Sequence, residues 1–270
     1  LTDDHPVVDL KLLARRNFWT GTVAMAVAYS LFMGNLVLLP LWLQQFMGYT
    51  STQAGMLMAP VGLFAIILSP VVGKNISKFD PRSLTTFAFA VFALVLFMRS
   101  HFNTQADFGT IMVPTIIQGV AVAFFFIPLT SIILGGIPPE KIPSASGLSS
   151  FARMVGGSFG TSIAITIWQD RAALHHAQLA ELVNRGSSAT TSALAGFNAG
   201  GMSTEQALSQ INRMVDQQAF MLAANDVFYG SAIIFVLLVP LVWLARPASR
   251  SVGAPTSGSA GAADAAAGAH

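Results

Sequence analysis

Ser144–Trp168, SASGLSSFARMVGGSFGTSIAITIW, is the stretch that decides how this chain is read. An apolar helix of about 20 residues crosses about 30 Å of hydrocarbon, and this stretch has that length with a single charge, Arg153. Ser149, Arg153, Gly156 and Gly160 recur at i, i+4, i+7 and i+11, so they share one helical face. Small residues four apart let membrane helices approach closely, which makes Gly156 and Gly160 the expected packing groove. An arginine inside a span is costly and normally faces protein or a water-filled cavity. The alternative is that it snorkels to the headgroups. Arg153 lies nine residues past Ser144, roughly 13 Å along a helix, so that reach is long and the bundle interior is the favoured reading.

Outward from this stretch, the chain of 270 residues is 53% hydrophobic and only 10% charged, with a mean hydropathy of +0.63. Soluble domains carry about 25% charged residues, so the composition predicts an all-α, multi-pass membrane protein. A net charge of +2 with no basic block gives no reason to expect nucleic acid as a partner. The absence of cysteine excludes a disulfide framework and thiolate metal sites. The chain begins at Leu1 with no leader pattern before the first span, so it reads as a piece of something longer.

Six spans are expected, at about 18–43, 53–73, 83–98, 108–137, 144–169 and 219–245. They form one transmembrane bundle over 18–245, after an N-terminal segment 1–17. The third is short, and Arg82 and Arg99 flank it as residues whose heads can reach the interfaces. The polar segment 170–218 is read as two helical extensions, the second opened by a capping box at Ser203 and Gln206, with a flexible stretch between them. The Ala/Gly/Ser-rich tail 246–270 is expected to be disordered. With both ends in the cytoplasm, inside segments hold nine Lys and Arg and outside loops four. That bias sets the orientation and places 170–218 outside.

No nucleophile elbow, HExxH helix, phosphate loop or dinucleotide fingerprint occurs. The pair His175-His176 is adjacent, so it does not share a helix face and reads as solvated rather than metal-binding. Metal ligands and organic cofactors are therefore not expected. The interior polar candidates are Arg153, Gln118, Asn35 and Asp226. Asp226 is either an interior acid or a plain interfacial residue. Phe125, among Phe124, Phe126 and several methionines, belongs either to an apolar ligand pocket or to packing. At its expected depth Arg153 is level with Gln118, which predicts a hydrogen bond between them, or from Arg153 to nearby carbonyls, across the fourth and fifth spans.

Particular stretches resemble a known family. Gln53–Gly62 (QAGMLMAPVG) looks like the tenth span of the 14-span drug:proton antiporters of the major facilitator superfamily. Gly73–Arg82 (GKNISKFDPR) is similar to their basic loop motif G-x-x-x-D-R-x-x-x-R; Gly73, Lys78, Asp80 and Arg82 are the residues of interest, and Ser77 stands where Asp is usual. Phe124–Ser162, His175–Leu179, Asn225–Phe228 and Leu241–Pro247 resemble the EmrB-type multidrug efflux pumps. The resemblance implies the C-terminal six-helix half of a major facilitator fold in the bacterial inner membrane. It implies efflux of hydrophobic drug-like substrates, powered by the proton gradient without a cofactor. The implied partners are the lipid bilayer, an N-terminal half carrying the main proton-bearing acids, a periplasmic membrane-fusion adaptor of EmrA type and a TolC-like outer-membrane channel. The competing readings are a metabolite or siderophore exporter on the same scaffold, or a membrane scaffold without transport.

Overall fold

The structure is a computed structural model and describes residues 10–76, 78–183 and 187–245. Expectations for the first nine residues, for Ser77 and for the tail 246–270 fall outside the described residues. The described chain is helical, without strands. After a 3-10 turn at Leu10–Ala14 come α1 (Arg16–Phe46), α2 (Ser51–Asn75), α3 (Pro81–Arg99) and α4 (Phe108–Leu134). A second 3-10 turn, Pro139–Lys141, leads into α5 (Ile142–Leu182), followed by α6 (Ser188–Ala199) and α7 (Thr204–Trp243).

Local chemistry starts most of these helices. Thr50 with Gln53 and Ser203 with Gln206 form complete capping boxes at α2 and α7, each satisfying orphan amides of the first turn. Asp80 caps α3 ahead of Pro81 at its first position, and Asp107 caps α4. The hydroxyl and amide of Thr110 both donate to the Asp107 carboxylate, which holds it below the ordinary carboxylate range.

Five helices, α1 to α4 and α7, are long and apolar enough to cross a membrane by their own composition. α5 is long but is diluted by Ser, Gly and Arg153. It is held by packing between α1 and α7. The helices close a ring in the order α1, α5, α7, α3, α4, with α2 laid against α4. Inside the ring Phe92 stacks on Phe235 at 4.9 Å, and Phe125 meets Phe92 edge-on at 5.7 Å, the offset and T-shaped geometries that aromatic quadrupoles favour.

Several expectations need correction. α4 and α5 follow one another yet hardly touch; α5 lies on α1 and α7. The cause is the small-residue face of α5. A Cβ on Gly156 would come within 2.7 Å of the Ala26 carbonyl oxygen, and one on Gly160 would run into Ser30. Gly34 answers from α1, with only 2.8 Å between its Cβ position and the Ala164 Cβ. Among the described glycines of α5, none presses on α4 in this way. Ser188–Ala199 also form a 12-residue helix, α6, capped by Ser187, where a flexible stretch was predicted. α5 and α7 run continuously past the expected spans, and there His176 on α5 meets Asp216 and Asn212 on α7, each at 3.3 Å.

Candidate transport site

Arg153 lies halfway along the inner part of α5 and turns its guanidinium over two rings. Its Cζ is 5.5 Å from the centroid of Tyr29 on α1 and 5.8 Å from that of Phe126 on α4. Both distances are within the range of cation–π attraction. Its Nε is buried without a hydrogen-bond partner among the described residues. The two aromatic faces hold the charge where α5 meets α1, with Phe126 of α4 beside it.

The expected bond to Gln118 is not there. Gln118 Oε1 accepts instead from Arg99 Nη2 at 2.7 Å, and Thr115 Oγ1 accepts from the same nitrogen at 3.2 Å. The Thr115 hydroxyl in turn donates to the Ile111 carbonyl. Arg99, expected at the interface, is fully buried, while its Nε and Nη1 find no partner among the described residues. The reason is positional. Arg99 ends α3 on the side that packs on α4, and its side chain reaches back along α4 to the two residues one turn apart. Gln118 is thereby committed inside the α3–α4 contact and does not face α5.

Phe125 is corrected as well. It is completely buried among Phe89, Phe92 and Phe126, so it belongs to the core of the ring and not to a ligand pocket. Arg82, expected to reach outward, is buried as well. It is 7% exposed and, with Asn17, Asp80, Ser131 and Gly135, lines a narrow crevice beside the end of α4. A cation at that place complements the negative end of the helix dipole. In the same loop Lys78 donates to Asn75 at 3.0 Å, Asp80 accepts the Arg82 amide at 2.9 Å, and Gly73 has open space around it.

A second polar group lies between α1, α5 and α7. Asn35, 2% exposed, donates to the Leu31 carbonyl at 2.7 Å and to Ser231 Oγ at 3.1 Å. Asp226 on α7 is met from α5 by His175 Nε2 at 2.8 Å and by Arg171 Nε at 3.3 Å. Asn35, Ser231, Ser30, Gly160 and Asp226 line one cavity of about 180 Å³, whose remaining wall is aliphatic. Sequence spacing missed the Asp226–His175 contact because the two residues are 51 positions apart and meet only where α5 crosses α7. For Arg99 there was a usable signal. A span ending at residue 98 is too short for the bilayer, and extending it by a turn draws Arg99 inside.

A ring of long apolar helices with arginine, asparagine and aspartate turned inward is the architecture of a multi-pass membrane transport protein. The family model of the Major Facilitator Superfamily matches residues 3–161, and the chain belongs to that superfamily. It is 46% identical over 251 residues to the multidrug export protein EmrB of Escherichia coli K12, covering 92% of this chain and 48% of the relative. It is 40% identical over 253 residues to the fatty acid resistance protein FarB of Neisseria gonorrhoeae, covering 94% of this chain and 50% of the relative. The lincomycin resistance protein LmrB of Listeria monocytogenes is more distant, at 26% over 167 residues, which is 62% of this chain and 36% of the relative. The chain thus spans about half the length of EmrB and FarB.

Proposed function

We propose that this chain forms the C-terminal half of a transporter that exports hydrophobic and amphiphilic drugs across the bacterial inner membrane in exchange for protons. Its N-terminal half supplies the second bundle. An EmrA-type periplasmic adaptor and a TolC-like channel carry the cargo onward, and both ends of this half face the cytoplasm. The similarity to EmrB and FarB supports the class of cargo. The observation that carries the residue-level reading is Arg153, a guanidinium lying over Tyr29 and Phe126 with no carboxylate beside it among the described residues.

The mechanism follows from that geometry. Alternating access rocks one bundle against the other around a site between them. Aromatic faces offer apolar area to the body of an amphiphile, and a fixed polar group orients its head. Arg153 is that group: its planar fork presents several donors at once, and lysine replaces it with a point charge. The Gly156–Gly160 groove holds α5 against α1 and keeps Arg153 in register with Tyr29. Gln118 and Phe125 act inside the bundle, not on cargo.

The test is growth of a pump-deficient strain carrying the full-length gene on a panel of hydrophobic toxins. The wild-type gene raises resistance; Arg153→Lys and Arg153→Ala lose most of it while the protein still accumulates in the membrane. Unchanged resistance from both variants refutes the assignment of Arg153, and a wild-type gene that protects against nothing on the panel refutes drug export.

A further inference from the structure

We infer that Asp226 and His175 form a proton-binding site of this half's own, opening onto the cavity floored by Asn35 and Ser231. The inference rests on the proton-exchange reading above and adds a titratable site in the C-terminal bundle.

Two independent observations point to it. The first is the pairing itself. An acid of α7, its side chain 36% exposed, is hydrogen-bonded to an imidazole from α5 at 2.8 Å, in the wall of a cavity of about 180 Å³. Imidazole is a common proton shuttle, and here it bonds a carboxylate that reaches the cavity. The second is Asn35. It is nearly completely buried and lines the same cavity, and its Oδ1 has no partner among the described residues, although its Nδ2 is used twice. An acceptor left in a polar cavity wall calls for a donor that the cavity supplies. A space of this size holds several waters, each needing polar partners. Ser30, Ser231, Asn35 and Asp226 are such partners, spaced from the carboxylate down to α1.

The surrounding charges leave the pair as the titrating unit. Arg171 on α5 is the charged neighbour of the carboxylate, 3.3 Å away. α1 carries no Asp, Glu, Lys, Arg or His from Asn17 to Phe46; its Tyr29 lies beneath Arg153. From α3, Arg99 is turned to Thr115 and Gln118. On α7, Asp216 is held by His176 and Tyr229 lies toward Phe97. α6 has no titratable residue.

Proton movement balances as follows. With imidazole Nε2–H donating to Asp226 Oδ2, a hydronium ion gives a proton to Nδ1. The Nε2 proton then passes along the 2.8 Å bond to the carboxylate. The carboxyl delivers it to water in the cavity, which leaves the imidazole as its Nδ1–H tautomer; loss of that proton to water and uptake of one at Nε2 restore the starting state. While the carboxyl is neutral its attraction for Arg171 is lost, so proton loading loosens the α5–α7 contact.

The experiment uses the full-length transporter in proteoliposomes, with a compound from the resistance panel as cargo. Its rate is measured at a series of outer pH values for wild type, Asp226→Asn, Asp226→Glu and His175→Gln. The expected result is a pH-dependent wild type, loss of that dependence in Asp226→Asn and His175→Gln, and its return in Asp226→Glu. A wild-type pH profile in Asp226→Asn overturns the inference; if that variant does not accumulate, a wild-type profile in His175→Gln does so. If the wild type responds to no pH gradient, the exchange reading falls by itself. Infrared difference spectra on acidification then decide the site. A protonated-carboxyl band lost in Asp226→Asn and displaced in His175→Gln upholds it, and spectra identical to wild type in both variants overturn it.

Discussion

Replacing Gln118 by leucine is expected to destabilise the protein, and replacing Arg99 by methionine in the same molecule is expected to restore it. Arg99 is fully buried, and its protein partners are Gln118 and Thr115, both through Nη2. A hydrogen bond to a charged group contributes about 1.5–3 kcal/mol. Gln118→Leu removes the shorter of the two bonds and leaves the guanidinium with Thr115 alone, a cost of about 2 kcal/mol on that scale. Arg99→Met strands the Gln118 oxygen but removes a charge whose Nε and Nη1 are unpartnered. Replacing both members of a buried polar pair by apolar groups of similar volume is often neutral or stabilising, so the double variant should return to within about 0.5 kcal/mol of wild type. The coupling is then about 2 kcal/mol, equivalent to about 30-fold in the folded-to-unfolded ratio. Unfolding in mixed detergent micelles, followed for the four proteins of the cycle, measures it. Additive effects, with the double variant as unstable as the sum of the singles, would refute the reasoning.

Three further outcomes are expected. Gly160→Leu should abolish folding or transport because Ser30 occupies the space of its side chain, whereas Gly147→Ala, with open space around it, should be tolerated; equal effects of the two, read as membrane accumulation, would contradict the α1–α5 contact. Cysteines introduced at Ser188 and Ser192, exposed residues of α6 in a chain without native cysteine, should react with a membrane-impermeant maleimide in intact spheroplasts, and reaction only after lysis would invert the topology. Asp107 titrates below its ordinary value of 3.8 because Thr110 hydrogen-bonds the charged form. Its contribution to the start of α4 is therefore complete above that value and lost as pH falls through the lower folded-state value; Asp107→Ala should remove this part of the acid response, read by hydrogen exchange at the first turn of α4.

The sequence by itself determined the class, the six long helices and most of their starts, but not α6. Apolar length, the caps at Thr50, Asp80, Asp107 and Ser203, and the turns between spans are local properties, and local chemistry acts the same way before and after folding. It also marked Gly156 and Gly160 as a close-contact face, because four-residue spacing is a property of one helix. What periodicity could not show is which helix that face would meet. Chain order suggested α4, and the tertiary structure chose α1, where Gly34, Ala26 and Ser30 leave room for it. The missing bond between Arg153 and Gln118 follows from that choice. Once α5 sits on α1 and α7, Arg153 meets Tyr29 and Phe126, Gln118 is left to Arg99, and His175 comes down on Asp226. Partners 19, 51 or 124 residues apart carry no shared spacing, so only the packing of the bundle could bring them together.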